Sequence, residues 1–136
     1  MRPMTLSALM TAVLLTGCAS QTPETERSPY GVWEGTLPCA DCPGIETRLT
    51  LYREPDTYKL TETYQERNGD VTEREGQWQV LPPTDPMDLG RISLQGDNGK
   101  VVRMYRRLPE GDLEMLNRDG ERIQSKLNYT LRRKRL

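Results

Sequence analysis

Histidine and phenylalanine are both absent from this 136-residue chain. The first absence removes the commonest general base, the imidazole-ligated zinc sites and the Ser-His and Cys-His nucleophile pairs. The second leaves a core to be built from Leu, Ile, Val, Met, Tyr and Trp. An excess of one charge is missing too: 19 basic side chains face 20 acidic ones. That balance gives no global reason to expect nucleic acid as a partner. No apolar run reaches the roughly 20 residues that a membrane-spanning helix needs. The carboxylates are scattered, with no pair held apart by contrasting environments, so no hydrolase site is expected. The chain reads as a non-enzyme.

What is present begins with a leader. Arg2 supplies a short positive region and Leu6 to Leu15 an apolar one, so residues 1–17 read as an export signal. The run ends in Leu15-Thr16-Gly17-Cys18, which resembles the bacterial lipobox. That resemblance implies cleavage before Cys18 and lipid on its sulfur. An ordinary secretory signal with an incidental cysteine is the alternative; the order of apolar core, small residue and Cys favours the lipobox. Acyl chains there would anchor the chain to a membrane, at about 0.8 kcal/mol per buried CH₂. Ala19 and Ser20 follow, not the Asp associated with inner-membrane retention. By resemblance to that sorting rule, the address is the outer membrane, periplasmic face. Residues 18–29 are rich in Ser, Gln, Thr, Glu and Pro, a composition that reads as a flexible tether.

From Tyr30 onward apolar residues alternate with polar ones between turn signals. Strands are expected at Tyr30–Thr36, Ile45–Leu51, around Tyr58, Leu60 and Tyr64, and from Val71 to Val80. Asn68-Gly69 is a hairpin signal, because both residues accept positive φ. Three prolines between Pro82 and Gly90 bar central strand structure there. Further strands are expected at Arg91–Gln95, Lys100–Leu108 and Asp112–Asn117. A last alternating run sets Ile123, Leu127, Tyr129 and Leu131 against Gln124, Lys126, Asn128 and Thr130. Seven to eight short strands with tight turns predict an all-β domain over residues 30–133. A small antiparallel up-and-down β-barrel leaves no exposed edges. Residues 134–136 form a basic tail.

The stretch Gly31-x-Trp33-x-Gly35-x-Leu37-Pro38-Cys39-Ala40-Asp41-Cys42-x-Gly44-Ile45-x-Thr47-x-Leu49 resembles the N-terminal domain of the NlpE lipoproteins. Thr57-Tyr58-x-Leu60, Gly76-x-Trp78 and Ile123-Gln124-Ser125-Lys126-Leu127-Asn128-Tyr129 carry the likeness across nearly all of residues 30–133. The resemblance implies a lipocalin-like barrel and an outer-membrane lipoprotein tied to copper tolerance and envelope stress signalling. It also implies an inner-membrane stress sensor kinase as a partner. Gly31-Val32-Trp33 resembles the Gly-x-Trp of lipocalin first strands, where a late Arg packs on the Trp; Arg132 or Arg133 is the candidate here. Longer NlpE proteins carry a second, C-terminal domain with its own cysteine pair. This chain ends at Leu136, so that domain's roles are not carried over.

The pair Cys39 and Cys42 admits three readings. As a disulfide, it fits an i, i+3 spacing in a turn and an oxidising periplasm. As a thiol–disulfide exchange site it lacks the helix N-terminus that would lower a thiol's pKa, and no Lys or Arg lies within five residues. As a metal site, two thiolates suit Cu(I), with a thioether of Met87, Met104 or Met115 as a third ligand. Met104 and Met115 also read as core residues, and Asp41 as a turn residue. The disulfide is the favoured reading, and no resident cofactor is expected. A third functional class stays open, a lipocalin-like carrier of a small ligand or lipid, which needs a hollow barrel.

Overall fold

Eight strands follow one another around a closed barrel in chain order. They are β1 (Gly31–Leu37), β2 (Ile45–Tyr52), β3 (Thr57–Tyr64), β4 (Val71–Leu81), β5 (Arg91–Gln95), β6 (Val101–Arg107), β7 (Leu113–Met115) and β8 (Thr130–Arg133). The computed structural model describes Pro3 and residues 27–66 and 69–136. Neighbouring strands are antiparallel, and β1 closes on β8 with Trp33 opposite Arg133 and Glu34 opposite Arg132. Closure needs Gly35: a Cβ there would lie 2.7 Å from the carbonyl oxygen of Thr130. This is the up-and-down topology that the alternating pattern predicts. The leader, the lipobox with Cys18, and Asn68 of the hairpin signal lie outside the described residues.

Alternation decides what is inside. On β3, Tyr58, Leu60 and Glu62 are buried while the residues between them are half-buried. Register carries the inward row from strand to strand: Trp33 faces Leu49, Leu49 faces Leu60, and Leu60 faces Arg74. Leu49, Leu51, Leu94, Tyr105 and Leu131 are fully buried, and the core holds Trp33 and Trp78 as well.

Two expectations are corrected. The last alternating run is not one strand; only residues 130–133 form one, and Leu127 is 61% exposed. Polar side chains take over the backbone there. Ser125 Oγ accepts from Leu127 N, while Asn128 donates to Thr36 O and accepts from Thr130 N. Such local bonds compete with strand ladders. The strand expected over Asp112–Asn117 is cut to three residues, because Asn117 Oδ1 caps a turn by accepting from Asp119 N and Glu121 N.

The barrel's two ends differ. One is sealed by aromatic rings. Trp33 Nε1 donates to Gly111 O at 2.8 Å and Trp78 Nε1 to Tyr52 O at 2.7 Å. Tyr30 stacks on Trp78 with centroids 5.8 Å apart. Arg133, and not Arg132, lies over Trp33 at 5.3 Å, and Arg53 covers Tyr30 at 3.9 Å. Arg27 is docked at this end too, donating to Thr57 Oγ1, Arg53 O and Pro55 O. The segment before Tyr30 therefore holds to the barrel from Arg27 onward. Lys134 extends the paired region at the other terminus, with its amide bonded to Val32 O and its ammonium 3.3 Å from Glu34.

Candidate functional site

The opposite end is a mouth, and the cysteine loop forms its lip. β1 delivers the loop and β2 takes it away, with Leu37 opposite Ile45 closing its base. Cys39 and Cys42 are joined as a disulfide with Cα atoms 5.2 Å apart. Both are half-buried, while Ala40 and Asp41 between them are exposed. The loop is held from the side as well, because Gln65 N donates to Gly44 O at 3.0 Å. Gly44 is required at that contact, where a Cβ would come within 2.6 Å of Thr36 Cγ2. Pro38 and Leu37 then line a cavity of about 670 Å³ that runs into the barrel.

An ion pair lies inside that cavity. Glu62, 5% exposed on β3, accepts from Arg103 Nη2 on β6 at 3.2 Å. β3 and β6 are not neighbours in the sheet, so the pair crosses the lumen. Arg103 also donates to Val102 O at 2.9 Å. The Tyr105 hydroxyl, on the same inward row of β6 as Arg103, is buried with no hydrogen-bond partner among the described residues, and so is Ser93 Oγ on the other face of β5 from Ile92 and Leu94. Burial pushes the Tyr105 phenol well above the ordinary tyrosine range, with Arg103 opposing and Glu62 reinforcing the shift. Tyr58 is raised for the same first reason and donates to Gln95 O at 3.0 Å.

The other singled-out residues separate. Met104 and Met115 line the cavity with Pro38, whereas Met87 is 89% exposed in the irregular stretch at the sealed end. Arg106 pairs with Glu114 directly across β6 and β7 at 2.8 Å. Arg106 holds the Glu114 carboxyl below its usual range, aided by Arg122 and opposed by partial burial. Among the described residues no group of three or more His, Cys, Asp or Glu could hold a metal ion. The luminal Glu62–Arg103 pair is what sequence reasoning missed. Its signal was available: Glu62 continues the inward row of Tyr58 and Leu60.

Comparison with known proteins places this barrel in a family. The NlpE N-terminal domain profile matches residues 33–126. The chain belongs to the NlpE family. It is 31% identical over 141 residues to Lipoprotein NlpE of Escherichia coli K12, covering 93% of this chain and 54% of that protein. The chain thus spans about half the length of this NlpE relative. The crystal structure of the E. coli Cpx pathway activator NlpE superposes with a TM-score of 0.56 at 32% identity, over 80% of this chain and 53% of that one. A Shewanella oneidensis lipoprotein superposes with a TM-score of 0.60 at 29% identity, over 82% and 94% of the two chains.

Proposed function

We propose that this NlpE-family chain is an envelope lipoprotein, held through Cys18 at the periplasmic face of the outer membrane. Its barrel acts in envelope stress signalling or copper tolerance by contact with a partner and not by catalysis. One observation supports contact signalling most. The chain leading back to Cys18 joins the barrel at the sealed end, where Arg27 is docked, while the Cys39–Cys42 loop lies at the mouth. The two are separated by the length of β1, about 20 Å for seven residues. A tethered barrel built this way turns its lip away from the anchor. The E. coli relative is a Cpx pathway activator, which supports a stress-signalling partner, and the family resemblance suggests an inner-membrane stress sensor kinase for that role.

The test is a kinase-dependent stress reporter in cells making the full chain, compared with Cys18→Ala or a variant misrouted by Ala19→Asp. Misrouting is expected to raise the reporter, and deleting the sensor kinase to abolish the rise. No kinase-dependent change would overturn the signalling reading.

A second reading, Cu(I) capture, is favoured by the shared cavity of Pro38, Met104 and Met115. It requires that the Cys39–Cys42 bond be opened first, since the thiolates are the ligands. Reduced protein is expected to take up Cu(I) and Cys39→Ser to lose it; equal copper in both would remove this reading.

A further inference from the structure

We infer that the mouth of the barrel binds a single-chain amphiphile with an anionic headgroup, the head on Arg103 and the chain along the apolar wall. The inference stands apart from the signalling reading. It begins with a pair that stability does not explain. An ion pair taken out of water recovers its desolvation cost only with full hydrogen bonding. Here Glu62 has 7% of its side chain exposed and Arg103 32%. Arg103 places only two of its five N–H donors among the described residues, one on Glu62 and one on Val102 O. The Tyr105 hydroxyl, unpartnered and 0% exposed, stands two residues from Arg103 on the same inward row of β6. The floor of the mouth is therefore polar and under-satisfied.

The walls are of the other kind. Leu37, Ile45, Met115, Leu116 and Ile123 line the same space. At about 670 Å³ it lies within the roughly 300–1,000 Å³ of small-molecule sites, which combine apolar walls with a few convergent polar groups. Its charged lining is Glu62 against Arg74, Arg103 and Arg118, an excess of two positive charges. A carboxylate or phosphate head satisfies that excess, and a guanidinium receives either one with two parallel bonds. Glu62 is then the internal competitor that the ligand's head displaces from Arg103. A cationic head meets the wrong sign, and an uncharged chain leaves the floor unsatisfied.

The methionines supply the readout. The chain from Cys18 onward contains three, of which Met104 and Met115 line the mouth while Met87 stands at the sealed end. Methyl-labelled methionine NMR is run on that full mature chain, produced without lipid, with sodium dodecanoate or dodecyl phosphate below their micelle concentrations. Dodecyltrimethylammonium is the control. Both anions are expected to move the Met104 and Met115 methyls, to saturate at one equivalent and to leave Met87 in place. The cation should bind at least about tenfold more weakly, Arg103→Met should weaken dodecanoate about tenfold, and Glu62→Gln should tighten it by several fold. Those opposite signs separate loss of a ligand from loss of structure, and Glu62→Gln decides alone if Arg103→Met fails to fold. The inference is overturned by no shift, by movement of Met87 with the others, by equal binding of the cation, or by weakening in Glu62→Gln. A response to dodecyl phosphate alone would overturn the carboxylate half and leave phosphate as the head.

Discussion

Opening the Cys39–Cys42 bond should lower stability by about 2 kcal/mol and leave the barrel standing. The loop it closes spans four residues, Cys39 to Cys42. For that length the chain-entropy estimate is about 6 cal/mol/K, or about 2 kcal/mol at 25 °C. A barrel of this size unfolds with an entropy of roughly 2.1 cal/mol/K per residue, so the melting temperature should fall by about 8–9 °C. The fold survives because the loop's base is fastened independently. Leu37 stays opposite Ile45, and Gln65 N still donates to Gly44 O. The assay is calorimetry on oxidised protein, on protein held in a phosphine reductant, and on Cys39→Ser with Cys42→Ser. Reduced and doubly substituted proteins should melt together, cooperatively, below the oxidised one. A fall beyond about 20 °C, or loss of the cooperative transition, would mean that the loop organises the barrel, far above the 2 kcal/mol of loop entropy. An unchanged midpoint would mean that the bond constrains nothing. Either result refutes the loop-staple argument, and a folded reduced state is what any copper capture at this pair requires.

Three further outcomes follow from the same contacts. Arg103→Met strands Glu62 in the lumen, and with Arg103 about one-third exposed the loss should be about 2 kcal/mol, below the 3–5 of a fully buried pair. Removing both in Glu62→Leu with Arg103→Met should recover at least half of it by urea unfolding; additive losses would refute the pairing. Gly76→Ala drives a Cβ to 2.2 Å from Gln95 O and should cost about 1–3 kcal/mol, with an unchanged urea midpoint as the contrary result. The Glu114 carboxyl, held below its reference value of 4.5 first by Arg106, stabilises the fold above that pH and loses its contribution as pH falls through the folded value. Glu114→Gln should therefore differ from the parent at pH 7 by up to about 1 kcal/mol, with the gap closing as acid protonates the folded carboxylate; a constant gap would refute the linkage.

Much of the fold is legible in the residues because the physics that sets it is local. Period-two alternation marks β2 and β3 almost to the residue, and the prolines between Pro82 and Gly90 explain the break before β5. The rings that seal one end are legible as core, since Trp33 and Trp78 sit on inward rows. Local pattern fails where a side chain replaces a backbone partner. Residues 123–129 alternate like a strand, yet Ser125 and Asn128 turn their own polar groups onto the chain and only residues 130–133 enter the sheet. Choosing Arg133 over Arg132 needs the β1–β8 register, which sets Arg133 opposite Trp33.

The site is less legible because its parts are distant along the chain. Glu62 and Arg103 are 41 residues apart and meet only because strands three places apart in the sheet face each other across a closed lumen. The same closure gathers Pro38, Met104 and Met115 at one rim and leaves Met87 at the other end. The two ends also follow from strand length. β4 runs eleven residues while β5 has five, so only Gln77 to Leu81 pair with β5. The first half of β4, with Arg74 on its inward row, is left paired to β3 alone. A barrel whose strands matched in length would seal both ends with side chains. This one seals the end where Arg27 docks and keeps a charged mouth at the end that carries the cysteines. A chain without histidine thus still assembles convergent chemistry, and it does so from an arginine and a carboxylate that sequence spacing alone never brings together.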